Sequence, residues 1–333
     1  MKATFLTDTN QPLIIKKVDT PTPASSQVLI KLAYSALNHR DVWIQTGQYA
    51  GPKTGLILGS DGFGTVLAAG RDVTGNWIGK QVIINPGHDW GDNPAAFGQD
   101  FKILGNPEPG TFAEYIAMDE KYVHEKPAHL NDAEAAALPL AGVTTYRALF
   151  TRAALKAGEK ILITGIGAGT ALLALQFAIA AGAKVYVTSG SQDKIAKAKE
   201  LGAIDGFNYK EENWFLKARE AAGGFDVVLD SASGKGFGNL IETAKPGGRI
   251  VFFGGTDGPI GNIIPSKVYW RNLSILGTTM GTLQDFAAML AFTSQHRIKP
   301  VIDRIYPSLS SINQAFEHMH EGKQFGKIVL KNS

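Results

Sequence analysis

Two stretches of the chain carry residue types that could do chemistry. One is GIGAGTA (165–171), which lies between an apolar strand pattern, KILITG (160–165), and an apolar helical one, ALLALQFAIAA (171–181). Gly165, Gly167 and Gly169 permit a tight turn and close approach of backbone to a pyrophosphate. Ala168 and Thr170 complete the entry to a helix whose free N–H groups attract an anion. The other stretch is LILGSDGFGTV (56–66), where Asp61 sits among glycines and apolar residues. A charge in such surroundings needs hydrogen bonds or a counter-ion. Asp61 is therefore part of a metal site, part of a catalytic site, or the clamp of a turn.

Strand, glycine turn, helix and a second strand about 20 residues later form the unit that binds dinucleotides. An NAD site places an acid at the end of that second strand, to hold the ribose 2′-hydroxyl. The spacing lands on Ser189 in VTSGSQDK, and no acid is there. Ser189, Ser191 and Lys194 suit a 2′-phosphate instead, and Tyr209, at the end of the third strand, could reach the same group. NADPH is the expected cofactor. The plainer roles are a helix N-cap for Ser191 and a solvated first-turn lysine for Lys194.

The chain has no cysteine, which excludes disulfides, a thiol nucleophile and thiolate zinc sites. Its seven histidines show no ligand spacing, and no H-E-x-x-H occurs, so no metal site is expected. A net charge of +3, with no basic block, points away from nucleic acid and membranes as partners and toward a small-molecule substrate. The longest apolar stretch is about half of a membrane span, and MKATFLTDTNQPL lacks an apolar signal region. A cytoplasmic protein is expected.

These residues must be positioned by a fold of about two domains, given 333 residues. The first hundred residues read as short strands broken by Gly and Pro, with a long loop over 88–110, and suggest a β-barrel-like domain. From about 131 the pattern changes to helices, including 237–248, alternating with strands at 160–165, 184–189, 205–209, 226–231, 249–254 and 274–279. That alternation is the signature of a doubly wound parallel α/β sheet. The tail, with strands at 301–308 and 326–332 around a helix at 312–322, returns to the first domain. The expected bounds are 1–122 with 296–333 for the β-domain and 123–295 for the dinucleotide-binding domain. Phe253 and Gly254 close the fifth strand and Gly277 and Thr278 the sixth, at the crevice where the nicotinamide should lie.

Taken together, ALNHRDVWIQTGQY (36–49), LGSDGFGTVLAAG (58–70), GTFAEYI (110–116), LPLAGVTTYRAL (138–149), TGIGAGTA (164–171) and GKIVL (326–330) resemble the medium-chain dehydrogenase/reductase superfamily. The resemblance covers essentially the whole chain. It implies a GroES-like β-barrel domain plus a Rossmann domain. Where the zinc alcohol dehydrogenases of that superfamily carry Cys, His and Cys ligands, this chain has Asn38, Ser60 and Leu140. It therefore resembles the zinc-free quinone oxidoreductase and enoyl reductase-like branch.

The resemblance implies an active site lined by Asn38, Tyr49 and Thr144, and a dimer built on the sixth-strand region. The need for cationic donors adds Arg40, whose alternative is a surface ion pair. Lys327 is either a cofactor contact or a strand-edge lysine. The expected activity is NADPH-dependent hydride transfer to quinones or α,β-unsaturated carbonyls, with a pocket shaped by loops 45–56, 88–110 and 256–272. The alternatives are an alcohol or carbonyl dehydrogenase with a non-thiolate metal, and a crystallin-like NADPH-binding protein without turnover. Asp61 is expected to be a structural carboxylate that accepts backbone N–H bonds or pairs with an arginine.

Overall fold

The computed structural model describes residues 1–49, 51, 54–261 and 263–332. Loops 45–56 and 256–272, expected to shape a pocket, lie partly outside the described residues, at 50, 52, 53 and 262. The elements run β1 (Lys2–Phe5), β2 (Ile14–Lys17), β3 (Gln27–Ala36), α1 (His39–Gln45), β4 (Asp61–Ala69), β5 (Gln81–Ile84), β6 (Gly87–His88), β7 (Lys102–Leu104), β8 (Pro107–Glu108), β9 (Tyr115–Asp119), β10 (Val123–Glu125), α2 (Asp132–Ala137) and α3 (Pro139–Tyr146). They continue β11 (Lys160–Ile163), α4 (Gly169–Ala180), β12 (Lys184–Ser189), α5 (Gln192–Glu200), β13 (Asp205–Asn208), α6 (Trp214–Ala222), β14 (Phe225–Asp230), α7 (Phe237–Thr243), β15 (Ala244–Phe252), α8 (Pro265–Tyr269), β16 (Ser274–Gly277), α9 (Leu283–Gln295), β17 (Ile302–Tyr306), α10 (Ile312–Glu321) and β18 (Lys327–Lys331). The chain forms two compact units, 1–141 with 281–333, and 142–280.

In the first unit a seven-stranded sheet runs β10-β5-β4-β3-β18-β17, with β9 also paired to β3. Alternation along β3 buries Val28, Ile30 and Leu32 against Val66, Val82, Ile84, Ile116 and Met118, giving this β-domain its core. Segment 123–141 belongs to this unit rather than to the second. β10 pairs with β5, and α2 sets Ala133 and Ala137 against Ala36 and Val329. Segment 281–295 joins it too, since Phe286 of α9 packs on His124 of β10. The expected division at 122/123 and 295/296 thus differs from the compact units, because these contacts join elements far apart in sequence.

The second unit holds a parallel sheet of order β13-β12-β11-β14-β15-β16, the doubly wound arrangement expected. α4 is apolar nearly all round and is buried accordingly. The expected helix over 237–248 stops at Thr243, whose hydroxyl turns back to Leu240 O at 2.8 Å. Pro246 cannot continue a helix, and 244–248 extend into β15 instead. The expected loop over 88–110 contains β7 and β8, which with β6 form a small three-stranded sheet. Strands of two or three residues are too short to show a period. The lobe is held by side chains, with His88 Nδ1 2.8 Å from Glu108 Oε2 and its ring stacked 4.0 Å from Tyr122.

Two titratable groups of the first unit act on stability in opposite directions. Burial pushes the His124 imidazole down to about 4, and its Nε2 has no hydrogen-bond partner. The folded imidazole binds a proton less tightly than the unfolded one. Its contribution is therefore present above about pH 6.5 and is lost as pH falls toward 4, a change of about 3 kcal/mol. Burial pushes Asp41 up to about 6, against the opposing charge of Arg40 and a bond from the Asn38 N–H. The folded carboxyl holds its proton more tightly than the unfolded one, so stability falls as pH rises from about 4 to 6 and stays lower above, again by about 3 kcal/mol. In thermal melts, His124→Phe should lose less Tm than wild type between pH 7 and 4.5. Asp41→Asn should be more stable than wild type at pH 8, by up to about 3 kcal/mol, with a gain that shrinks toward pH 5. Differences independent of pH would contradict both assignments.

Candidate functional site

In the first unit, sheet register decides what surrounds Asn38. β3 pairs on one side with β4, setting Ala36 opposite Asp61, and on the other with β18, setting Ala36 opposite Val329. Asn38 lies just past the end of β3, where it precedes α1. Asp61 and Lys327 therefore flank it from the two neighbouring strands. Lys327 Nζ lies 2.7 Å from Asn38 Oδ1 and 2.9 Å from Asp61 Oδ2, and Asn38 Nδ2 donates to that same carboxylate oxygen at 2.9 Å. The other oxygen of Asp61 accepts the Leu140 N–H at 2.7 Å, in the first turn of α3, where a carboxylate suits the positive end of the helix. The side chains of Lys327 and Asp61 are 4% and 0% exposed. Removing either alone would leave an unpaired buried charge, a loss of about 3–5 kcal/mol.

This answers the question posed by Asp61. The backbone N–H bond expected for it is present, while its cationic partner is Lys327 and not an arginine. Lys327 is not at an edge either, because β18 lies inside the sheet between β3 and β17.

Arg40 is buried, 7% exposed, so the surface ion pair considered for it does not form. Its NH1 donates to Ser60 Oγ at 2.6 Å and Leu104 O at 2.9 Å, and its NH2 to Asn106 O at 3.2 Å. Ser60 Oγ in turn donates to Leu104 O at 2.7 Å. Every one of these partners is neutral, and Nε is buried without a partner. The guanidinium lies 5.1 Å from the centre of the Tyr49 ring, a cation–π contact that orients the phenol. Asn38, Arg40, Tyr49 and Lys327, chosen from sequence, thus cluster with Ser60 and Asp61 in one unit. Ser60, noted in the sequence only for a lost ligand, is the partner that fixes Arg40.

In the second unit the residues from Gly165 to Thr170 form the turn after β11 and the entry to α4, with Ala168 as N-cap. Gly167 has φ +124°, and a Cβ there would lie 2.8 Å from Lys194 Cδ, so the lysine chain lies across the turn. The first-turn N–H groups of α4 lack partners within their own helix. Thr170 O accepts the Thr145 hydroxyl at 3.2 Å. Ser189 closes β12, buried, with its Oγ accepting the Ser191 N–H at 3.2 Å. Ser191 is the N-cap of α5 and accepts the Lys194 N–H at 3.5 Å, so the plainer role considered for it is filled. Gly190 lies under two side chains, since a Cβ on it would be 2.8 Å from both the Tyr209 hydroxyl and Lys210 Cε. Lys210 was not foreseen. Next to Tyr209, it would face the opposite way in a continued strand, but β13 ends at Asn208 and the chain turns.

The remaining residues close the strands. The Phe253 N–H donates to Asp230 O at 3.2 Å, and Gly254 O accepts the Ser233 hydroxyl at 2.6 Å. Gly277 O accepts Arg152 Nε at 3.2 Å. The Thr278 N–H reaches Phe252 O at 3.0 Å, while its Oγ1 is buried without a partner. Thr144, on α3 in this unit, has a weak contact of 3.9 Å from its hydroxyl to Met280 Sδ.

A model of the alcohol dehydrogenase GroES-like domain matches residues 24–128, and one of the zinc-binding dehydrogenases matches residues 169–295. The chain is 38% identical to a zinc-type alcohol dehydrogenase-like protein of Leptosphaeria maculans, over 96% of this chain and 94% of that one. It is 30% identical to the quinone oxidoreductase of Mus musculus, over 99% and 97%. Its fold is similar to that of a crystal structure of an NAD-dependent alcohol dehydrogenase, with a TM-score of 0.93 and 32% identity over 100% of both chains. The chain belongs to the medium-chain dehydrogenase/reductase superfamily, as an oxidoreductase built from a GroES-like domain and a Rossmann domain.

Proposed function

We propose that the chain is an NADPH-dependent reductase that delivers hydride to quinones or α,β-unsaturated carbonyls without a metal. The observation that carries this reading is the state of the positions where zinc relatives keep their ligands. Leu140 offers no donor. The Asn38 oxygen is taken by the Lys327 ammonium, and the Ser60 hydroxyl by the Arg40 guanidinium and Leu104 O. Two cations against those oxygens, with no thiolate or imidazole at the three positions, do not suit zinc. Among the described residues no cluster of three His, Cys, Asp or Glu side chains could hold a metal.

The glycine turn and the α4 N-terminus fit a dinucleotide pyrophosphate. Ser191, Lys194, Tyr209 and Lys210, gathered around Gly167 and Gly190, fit a 2′-phosphate, which supports NADPH over NADH. Ser189, Phe253, Gly254, Gly277 and Thr278 are assigned to the rest of the cofactor, and Thr144 to its carboxamide. When bound, the dihydronicotinamide supplies the hydride. The protein's own task is to orient the acceptor and stabilise charge on its oxygen. Asn38 and Tyr49 supply donors, and Arg40 holds the Tyr49 ring and adds positive potential. An acceptor already electron-poor needs no Lewis acid.

The working form is proposed as a cytoplasmic homodimer with a small-molecule substrate and neither nucleic acid nor membrane as partner. β16 is an edge strand, and nearby Tyr269 and Trp270 are 61% and 77% exposed, which supports pairing there. Among the described residues no helix is long and apolar enough to cross a membrane.

Anaerobic mixing of the protein and NADPH with a panel of quinones, enals and 2-enoyl thioesters should oxidise NADPH with at least one class. Oxidation with none would overturn the reading, and tight NADPH binding without turnover would replace it with a non-catalytic role. Lys194→Ala should raise the KM for NADPH about tenfold, the loss of one charge-assisted bond, and leave that for NADH within about twofold. Equal effects on both cofactors would remove the 2′-phosphate assignment.

A further inference from the structure

We propose that Lys327 and Asp61 are a positioning pair for Asn38, fixing and polarising its amide so that one N–H is presented to the acceptor oxygen. The inference rests on the reductase reading above and assigns Lys327 a task other than the cofactor contact expected from sequence.

An ammonium only donates hydrogen bonds, and an ionised carboxylate only accepts them. With Lys327 Nζ 2.7 Å from Asn38 Oδ1 and Asp61 Oδ2 2.9 Å from Asn38 Nδ2, the amide has one orientation and not two. The third side of the triangle, Lys327 Nζ to Asp61 Oδ2 at 2.9 Å, keeps both charges in place, and the Leu140 N–H anchors the other oxygen of Asp61. Asp61 uses one N–H of the amide nitrogen, which leaves a second N–H on the same atom. The ammonium on the amide oxygen draws electron density from the nitrogen and strengthens that N–H as a donor. Asp61 alone would oppose a developing oxyanion nearby, and Lys327 cancels that charge at contact distance.

A buried ion pair is not by itself a device for stability, since apolar residues of similar volume often serve as well. A charge pair on both ends of one amide does set direction, which a catalytic donor requires.

The test compares kcat and NADPH Kd in the full-length protein, with an acceptor that the wild type reduces. The double variant Lys327→Met/Asp61→Asn removes both charges and leaves none buried alone. Its kcat should fall about 30- to 100-fold, at or below the roughly 100- to 1000-fold of a lost oxyanion donor because Asn38 itself remains, with the Kd for NADPH within about threefold. Lys327→Arg, which keeps the cation, should recover most of the rate. In an Asn38→Ala background the same double change should cost less than about threefold, because the pair acts through Asn38. If melts show that the double variant does not fold, the double variant Lys327→Gln/Asp61→Asn, which also leaves no charge buried alone and keeps polar groups at both positions, is read against the same expectations.

An unchanged kcat would overturn the inference. So would a tenfold weaker NADPH affinity at normal kcat, or an undiminished loss in the Asn38→Ala background. Wild type that reduces no acceptor would remove the reductase reading and this inference with it. An active wild type with unimpaired variants would remove the inference alone.

Discussion

The contact between Lys327 and Asp61 ties together parts of the chain that are 266 residues apart. It exists because β4, β3 and β18 are neighbours in a fixed register, which brings a carboxylate and an ammonium to either side of Asn38, two residues past the end of β3. Two charges this deeply buried tolerate no slippage. A one-residue shift of either outer strand would turn its charged side chain to the opposite face of the sheet. The pair also reaches the start of α3 through the Leu140 N–H. One interaction therefore sets the end of β3, the first residue of β4, the start of β18 and the N-terminus of α3.

The same arrangement carries the proposed chemistry. Cationic side chains approach two of the positions where zinc relatives hold their ligands, Lys327 at Asn38 and Arg40 at Ser60. Both are fixed by neutral or oppositely charged protein groups, so the positive charge is part of the fold. A metal would bind the substrate oxygen directly, whereas in the proposed reaction these cations act mainly through Asn38 and Tyr49. Such a site favours acceptors that need modest stabilisation of an oxyanion. Asp41, fully buried beside Arg40, gives the cluster a further charge that changes near pH 6.

The parallel sheet was the most legible part of the sequence. Its strands alternate with helices, and the edges of β12 and β16 fall within a few residues of expectation, because buried parallel strands are apolar runs bounded by turns. The glycine turn was equally plain from its context. α1 was hidden inside a motif, being only seven residues long. α9 was missed although Thr282 and Asp285 form a capping box that marks its start. The lobe at 88–110 had no period to read. The candidate site was legible as a set of residue types and not as a set of contacts. Nothing local to Asp61 points to a lysine in the last strand, nor does anything near Arg40 point to Ser60. Those pairings arise from sheet register and a loop crossing, which are long-range properties. The domain bounds shifted for the same reason, since β10 and α9 are claimed by partners distant in the chain.

The most direct measurement is metal content set against turnover. Zinc per chain would be determined on the purified protein, and NADPH oxidation with the best acceptor followed before and after exhaustive dialysis against a chelator. The proposed reductase should contain far less than one zinc per chain and keep its full rate after dialysis. One zinc per chain, with activity lost on chelation and restored by zinc alone, would contradict it.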